Sequence, residues 1–315
     1  MSTQADLDAA VAAVTQATDE LQIARQALID NVAQITANTN NLAEKITNSE
    51  ADDKYMLQTD FVGGQCVLVK DSNDLRLKPY NGNKLIINSK VETIPDAGIA
   101  ASPSGLVANT VYFIYARMNS GTMELDFANA GVTTHSTQVD TGVEIYTGDP
   151  TRTLVGIART NSSLAWEDSA GKRYVRSWFN RTPVELKSEL NATVATTSTA
   201  WIELNSNKRI GFVSWRDEVI CAGSSGRMAN TSSTGRLVSV NIGLDGASTL
   251  LSEGSTGGYG AGAMSVPASC SGSKTLQEGY HYITLLGCAN VGGTAVFYAD
   301  GANETDVTGL TGVLM

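Results

Sequence analysis

Residues 7–46 read LDAAVAAVTQATDELQIARQALIDNVAQITANTNNLAEKI. A large aliphatic side chain returns at every seventh position of this stretch, at Leu7, Val14, Leu21, Leu28, Ile35 and Leu42. A lone helix does not need to keep one narrow apolar stripe in phase for so long, whereas a coiled coil depends on such a stripe. We therefore predict that residues 1–50 form a coiled-coil stalk, which at about 1.5 Å per residue would be roughly 65 Å long.

A second register follows three residues after the first and holds small and amide side chains, at Ala10, Ala17, Ala24, Asn31 and Asn38. Lys45 interrupts it. In a coiled coil Asn31 and Asn38 lie on the axis, where each amide needs a partner or a bound ion. Such polar layers fix the register and the number of strands. We predict that the core of the coiled coil is formed by Leu7, Val14, Leu21, Leu28, Asn31, Ile35, Asn38 and Leu42.

Two alternatives remain open for this helix. A shifted register would place a different set of residues in the seam, namely Val11, Thr18, Arg25, Val32, Thr39 and Ile46. It is less favourable because it brings the charged Arg25 to the axis. The second alternative is an amphipathic helix that packs on its own globular domain.

The stretch Ile35-Thr36-Ala37-Asn38-Thr39 resembles the Ile-x-x-Asn-Thr repeat of trimeric stalks on bacterial adhesins and phage fibres. The resemblance covers about ten residues, and it implies that the predicted coiled-coil core is a trimer core. It implies a parallel trimer that holds an anion on its axis, at Asn31 or Asn38. No other cofactor is expected.

The composition is that of a β protein. Of 315 residues, 42% are hydrophobic and 17% are charged, and glycine is frequent at 30 while proline is scarce at 6. Many short strands joined by glycine and asparagine turns give this profile. We predict a mainly β chain of antiparallel β-sandwich or jelly-roll domains that follows an N-terminal α-helical trimeric coiled coil.

Charge and hydropathy exclude several classes of partner. The formal net charge is −10 and the isoelectric point is near 4.7, whereas binding to nucleic acid or anionic lipid needs a surplus of lysine and arginine. No apolar run approaches the ~20 residues of a membrane span, and the polar N-terminus lacks the apolar core of a secretory signal. We expect a soluble protein that binds no nucleic acid, does not insert into membranes and carries no export signal of its own.

Composition shifts divide the chain into four segments: a stalk at 1–50, a neck at 51–64, a middle β domain at 65–183 and a C-terminal, jelly-roll-like sandwich at 184–315. The neck is polar and acidic and ends at Gly63-Gly64, which stops a helix. Two turns of the middle domain, at 80–83 and 119–121, are predicted to join hairpin strands.

Three sequence motifs of the middle domain carry a resemblance to a known module. They are Met-Asn-Ser-Gly-Thr-Met-Glu-Leu at 118–125, Gly-Asp-Pro-Thr-Arg-Thr-Leu-Val-Gly at 148–156 and Val-Arg-Ser-Trp-Phe-Asn at 175–180. Together they resemble a module that recurs in tail-fibre proteins of tailed bacteriophages, over Tyr112 to Asn180. The resemblance implies a virion protein made in the host cytoplasm, which binds other virion proteins through its stalk and a receptor on the bacterial surface. It carries no catalytic residues.

A candidate receptor contact lies in the glycine-rich stretch 254–263. This stretch lacks the lysine of a phosphate loop and is predicted to be a long exposed loop. Loops at the end of a sandwich often carry binding, and an aromatic side chain there can stack on a sugar, so Tyr259 is the candidate. Trp201 and Trp215 lie within strand patterns and are assigned to packing in the core or between subunits.

No pattern of an enzyme or a metal site is found. There is no Gly-x-Ser-x-Gly, the chain has 2 histidines, and no repeat of a β-helix is present. The stretch 300–306 lacks the third early carboxylate and the distal glutamate of a calcium loop. The 4 cysteines form no Cys-x-x-Cys pair, which favours buried free thiols and leaves a Cys270–Cys288 disulfide as an alternative.

These observations favour a homotrimeric virion fibre of a tailed phage, whose C-terminal domain binds a surface glycan or protein by avidity. The alternative is a structural head, neck or collar fibre without a receptor role. A bacterial surface adhesin is a third reading, and it is disfavoured because no export signal or membrane anchor is seen.

Overall fold

The structure is a computed structural model that describes residues 3–47, 63–251, 256–260, 264–289, 293–299 and 307–315. The chain divides into two compact units, Met1–Phe61 and Val62–Met315. All of the predicted neck except Gly63 and Gly64 lies outside the described residues.

The first unit contains the helix α1, Gln4–Thr47, of 44 residues. Its start is fixed by a reciprocal cap, because Thr3 donates from both its backbone N and its Oγ1 to Asp6 Oδ2, at 2.9 and 2.8 Å. The Asp6 N–H in turn donates to the Thr3 carbonyl at 3.0 Å. These hydrogen bonds lower the pKa of Asp6, and an acid is favourable in the first turn of a helix. The predicted N-terminal helix is confirmed.

The second unit is built of β-strands. Those before residue 180 are β1 Cys66–Asp71, β2 Asp74–Pro79, β3 Lys84–Ile87, β4 Lys90–Thr93, β5 Ile99–Ala101, β6 Val111–Asn119, β7 Thr122–Asn129, β8 His135–Thr137, β9 Glu144–Tyr146, β10 Asp149–Arg159, β11 Asp168–Ser169, β12 Lys172–Arg173 and β13 Val175–Ser177.

The strands after residue 180 are β14 Val184–Glu189, β15 Val194–Thr196, β16 Ile202–Glu203, β17 Ile210–Ser214, β18 Val219–Asn230, β19 Arg236–Leu244, β20 Thr256–Gly260, β21 Ser265–Thr275, β22 Gly279–Ala289, β23 Ala295–Phe297 and β24 Gly309–Leu314. A 3₁₀ turn, Ser206–Lys208, precedes β17.

The strands pair into sheets of two to seven strands. The sheets run in the orders β1-β2-β5, β3-β4, β7-β6-β10-β9-β8, β11-β12-β17-β22-β19-β20 and β14-β24-β18-β23-β15; in addition β13 pairs with β10, β16 with β22 and β21 with β18. The named ladders are antiparallel apart from β12 with β17. The predicted mainly β class with antiparallel sheets is therefore confirmed.

Two cores correspond to the two halves of this unit. In the first, Leu75, Leu77 and Ile87 pack against Ile114 and further apolar side chains of β6 and β10. In the second, the strands of the sheet that contains β22 and those of the sheet that contains β18 bury a common cluster, which includes Phe212, Val240, Ile283, Ile220 and Phe297. These two sheets therefore share one apolar interior.

A third cluster joins the two halves. Successive residues of β6 alternate between cores, because Tyr112 and Ile114 pack into the first one while Phe113 and Tyr115 meet Trp215 in the third. The β12–β17 pair also connects strands from either side of residue 183. The predicted division after residue 183 stays a prediction, and strands from both sides of it share a sheet and a core.

Local turn chemistry gave one correct hairpin and one wrong one. β6 and β7 pair from Tyr112–Asn129 to Asn119–Thr122 around Ser120 and Gly121, which both have positive φ. The Asn81-Gly82 turn also has positive φ, at 54° and 125°. It joins no hairpin, because β2 pairs with β1 and β5 while β3 pairs with β4.

The cysteines are free thiols, and Cys66, Cys270 and Cys288 are buried while Cys221 is half-buried. The alternative disulfide between Cys270 and Cys288 is therefore not present. Burial raises the pKa of Cys66 to about 12, which keeps that thiol protonated and unreactive.

Candidate functional site

An open cleft of about 540 Å³ lies where the two halves of the β unit meet. We call it the aromatic cleft, and its lining includes Phe113, His135, Trp178, Trp215, Asp217 and Glu278. These side chains come from β6, β8, the segment after β13, the turn between β17 and β18 and the turn between β21 and β22. The cleft therefore forms only when the non-local strands have paired.

Trp215 is the floor of the cleft. It is 1% exposed, and its Nε1 donates to the Ser177 carbonyl at 3.0 Å. Its ring stacks on Phe113 at 6.3 Å and an interplanar angle of 9°. The half-buried Trp178 meets it edge to face, with the ring centroids 4.8 Å apart. Trp178 therefore offers the cleft an aromatic surface on a rigid base.

A buried ion pair holds the turn that carries Asp217. The Arg176 Nε and Nη2 donate to Glu218 Oε1, the former at 3.0 Å, and both side chains are nearly fully buried, at 5% and 3% exposure. The other oxygen, Glu218 Oε2, accepts from the Trp215 N–H at 3.0 Å. Because each charge is paired and hydrogen-bonded, the turn is fixed without a solvated carboxylate.

Arg181 lies against the rings of both tryptophans. Its guanidinium lies 4.8 Å from the Trp178 ring centroid and 5.6 Å from that of Trp215. Its Nη1 donates to Asp217 Oδ1 at 2.6 Å. Partial burial works to raise the pKa of Asp217, but the hydrogen bond and charge of Arg181 outweigh it, and the pKa is lowered. Asp217 is therefore an ionised acceptor at the mouth of the cleft.

His135 forms the opposite wall, with both ring nitrogens facing carboxylates. Nδ1 lies 2.6 Å from Glu144 Oε2 and Nε2 lies 3.0 Å from Glu278 Oε2. The hydrogen bond to Glu278 is the largest effect on the pKa of His135; together with Glu144 it exceeds the cost of burial and raises that pKa. Through these two contacts His135 connects β8 and β9 to the turn before β22.

The arrangement suits a polar, ring-shaped ligand. Aromatic side chains pack on the apolar face of a sugar, and carboxylates, guanidinium and threonine hydroxyls bond to its hydroxyl groups. Trp178, Asp217, Glu278 and Thr133 line the cleft and supply such groups, and Arg181 lies beside them, against Trp178 and Asp217. Within the described ranges no cluster of three or more metal-ligating side chains occurs.

The predicted trimer-core residues lie along one exposed stripe of α1. Every described side chain from Thr3 to Asn40, including Asn31 and Asn38, is exposed. The aliphatic members are 56 to 72% exposed, at Leu7, Val14, Leu21, Leu28 and Ile35. Leu42 is helical, and its side chain lies outside the described residues. Val11 and Val32 of the shifted register are also exposed, at 59% and 54%.

Tyr259 does not lie in a loop as predicted. Its backbone belongs to β20, where it pairs with Leu237 of β19 at the end of a sheet. The loop prediction was wrong because glycine does not prevent a backbone from pairing, and here residues 256–260 are held in a strand by their hydrogen bonds to β19. Its side chain and the calcium-loop candidate at 300–306 lie outside the described residues. Tyr259 as a receptor contact stays a prediction.

Sequence reasoning placed Trp215 correctly in the core and missed the cleft above it. Trp201 is half-buried, in agreement with a packing role. The missed residues had one local signal, which is Trp178 followed three residues later by Arg181. His135 and Glu278 gave none, since they are 143 positions apart. Among the described residues, no helix is both long enough and apolar enough to cross a membrane.

No protein-family model and no curated protein sequence matches the chain. Among solved structures, the sugar-binding EclA C-terminal domain is similar over 41% of this chain and 76% of that one, at 11% identity and a TM-score of 0.18. Infectious bursal disease virus strain Gx is similar over 81% and 66%, at 11% identity and a TM-score of 0.28. The delta-endotoxin Cry8Ea1 from Bacillus thuringiensis is similar over 80% and 51%, at 8% identity and a TM-score of 0.25. These scores are too low to carry a conclusion about fold or function.

Proposed function

We propose that this chain is the subunit of a homotrimeric fibre of a tailed-phage virion, and that its β unit binds a receptor on the bacterial surface. The observation that carries the proposal is the exposed seven-residue stripe of α1. An isolated helix is marginal in water, and the stripe of this one alone has five large aliphatic side chains that are 56% or more exposed. Two further copies of the same helix would bury them.

The details of the stalk follow from the same stripe. Three parallel helices would place Asn31 and Asn38 on the axis, around an anion. The stalk would attach to other virion proteins, and the fibre would be assembled in the host cytoplasm and act on the released particle. The C-terminal sandwich over 184–315 would have a jelly-roll arrangement, and the protein would have no enzymatic activity.

The aromatic cleft supports the binding half of the proposal. A saccharide would pack on Trp178 and receive hydrogen bonds from Arg181, while Asp217 and Glu278 would accept from its hydroxyl groups. One such site binds weakly. Three copies on one axis would bind a repetitive surface by avidity, because the second and third contacts become intramolecular.

The test is whether the purified, labelled full-length protein stays on washed cells from a panel of bacteria and blocks adsorption of a phage that carries it. We expect saturable binding that competes with adsorption. Trp178→Ala should abolish it, whereas Trp201→Ala, which changes a half-buried tryptophan outside the cleft, should leave it intact.

Two outcomes would count against this function. Binding that survives Trp178→Ala removes the cleft from the account, and matched substitutions at Tyr259 would then test the other candidate. If no cell is bound while the protein still attaches to fibre-less particles, the structural head, neck or collar fibre replaces the receptor-binding fibre.

A further inference from the structure

A second feature of the β unit is a row of tyrosine and arginine side chains, which we call the aromatic strip. It consists of the buried Tyr174, the half-buried Arg159, Tyr280 and Tyr282, and the exposed Arg209. The Arg159 guanidinium lies 4.2 Å from the Tyr280 ring centroid and 5.0 Å from that of Tyr174. The Tyr280 and Tyr282 rings follow at 6.5 Å, and the Arg209 guanidinium lies 4.3 Å from Tyr282. None of these residues lines the aromatic cleft.

The strip follows from strand geometry. Tyr280 and Tyr282 are two residues apart on β22, so they share the face opposite to the one that Ile283 and Leu285 bury. On the neighbouring strand β17, Gly211 pairs with Tyr282. A Cβ at Gly211 would lie 2.8 Å from the Tyr174 hydroxyl oxygen and 3.0 Å from that of Tyr280, so glycine leaves the room in which the rings pack.

The two arginines differ in their charge balance. Arg209 Nε and Nη2 donate to the two carboxylate oxygens of Glu203, each at 2.6 Å, which neutralises that end of the strip. Arg159 donates to the amide oxygen of Asn109 at 3.3 Å. In the part of the chain that the structure describes, no carboxylate forms an ion pair with Arg159. The strip therefore has an uncompensated positive charge at one end, on a protein of net charge −10.

A guanidinium that stacks on aromatic rings keeps its in-plane N–H groups free for a carboxylate. The half-buried Tyr280 and Tyr282 lie beside it and offer ring surfaces for the apolar faces of sugars. Burial raises the pKa of Tyr280 to about 12, so its hydroxyl stays neutral and does not repel an anion. The site thus combines one carboxylate-binding group with two successive stacking surfaces.

We propose that the aromatic strip binds an acidic saccharide, with a uronate carboxylate on Arg159 and sugar rings on Tyr280 and Tyr282. The inference goes beyond the proposed function, because it concerns different residues and a charged ligand. It stands independently of trimer formation and of adsorption to cells.

The experiment is a titration of the full-length protein with an oligogalacturonide and with its fully methyl-esterified form, which differs only in the charge of its carboxyl groups. We expect binding of the acid and at least about tenfold weaker binding of the ester, since a charge-assisted bidentate contact is lost. Arg159→Gln should weaken binding of the acid by a similar factor. Arg236→Gln, which changes an exposed arginine outside the strip, should have no effect.

Two further variants exclude a simple folding defect. Arg159→Lys keeps the charge and loses the planar stack, so we expect affinity between those of the wild type and Arg159→Gln. Trp178→Ala should leave oligogalacturonide binding unchanged, which separates the strip from the aromatic cleft. Equal affinity for acid and ester, unchanged binding by Arg159→Gln, or no binding of either oligosaccharide would overturn the proposal.

Discussion

The helix α1 and the β unit differ in how far they bury their large apolar side chains. The β unit closes its cores within one chain, where Leu75, Ile114, Phe212 and Phe297 are fully buried. On α1, by contrast, Leu21 is 72% exposed and Ile35 is 64% exposed. Under the proposed function, the β unit would bury its cores within one chain, whereas α1 would bury its apolar stripe only against two further copies of itself. Four variants test this comparison, from the largest expected effect to the smallest.

The combined substitution of Leu21, Leu28 and Ile35 by Asp should abolish the trimer. Each buried aliphatic contributes roughly 1.5–3 kcal/mol in the assembled stalk, and each aspartate would place like charges on one axis. The measurement is the native mass. A control with three aspartates on the opposite side of the helix, Ala12→Asp, Gln26→Asp and Ala33→Asp, should keep the mass of the wild type. Equal behaviour of the two variants would contradict a seam at these positions.

The corresponding disruptive variant in the β unit is Glu218→Ala, which removes the buried ion pair with Arg176. It leaves Arg176 buried without its counter-ion, which should lower the free energy of unfolding by about 3–5 kcal/mol. Glu189→Ala removes one member of an exposed pair with Lys187, whose side chains are 61% and 50% exposed, and should change stability by less than about 1 kcal/mol. Denaturant unfolding of the two full-length variants measures both. Equal losses would mean that the buried pair does not hold the turn that carries Asp217.

Replacement of Asn31 and Asn38 together by Leu should stabilise the stalk but loosen its specificity. Apolar layers are more stable than amide layers, whereas the amides fix register and strand number. We expect a higher melting temperature of the helical signal and a broader distribution of native masses. Asn40→Leu, which makes the same exchange on the opposite face, should leave the mass distribution unchanged. A single sharp trimer mass in the double variant would exclude a specifying role for the two amides.

The smallest effect is expected at His135. Its pKa is raised in the folded state, so its contribution to stability is fully present below the unfolded pKa of about 6.5 and is lost as the pH rises through the folded value. The loss in stability on His135→Gln should therefore be larger at about pH 5.5 than at about pH 8.5. Glu278→Gln should reduce that difference, because the largest cause of the shift is then removed. A pH-independent loss would contradict the paired carboxylates.

Local sequence predicted the elements whose signal is local. The helix was predicted from the large aliphatic residue at every seventh position. The turn at Ser120 and Gly121 determines its hairpin because positive φ at two successive residues suits a two-residue loop. The cap of α1 is also a local feature, because Thr3 and Asp6 are three residues apart. Each of these features is completed by residues within one turn or one hairpin.

The missed elements depend on distant partners. β21 has four serines, one proline and one glycine among its eleven residues and so has weak strand propensity of its own. It nevertheless pairs with β18 over eleven residue pairs, from Val219–Thr275 to Ala229–Ser265. β24 lies between β14 and β18, and its register is set by them. Tyr259 was predicted to lie in a loop for the same reason, because its segment is a strand only through its pairing with β19.

The aromatic cleft was out of reach of the sequence for a related reason. His135, Trp178, Asp217 and Glu278 belong to four segments, and only the pairing of the sheets brings them together. Trp215 was correctly predicted to be a core residue. The sequence around a buried tryptophan does not show, however, which of its neighbours in the fold will be exposed to solvent. Sequence pattern therefore predicted the scaffold and its packing better than it predicted the site.

The most direct test of the account is the native mass of the full-length protein at a concentration where the stalk is assembled. Three chains of 33.1 kDa give about 99 kDa, and this trimer is the predicted result. A mass of one chain that does not change with concentration would contradict the account, because the apolar stripe of α1 would then stay exposed without a partner.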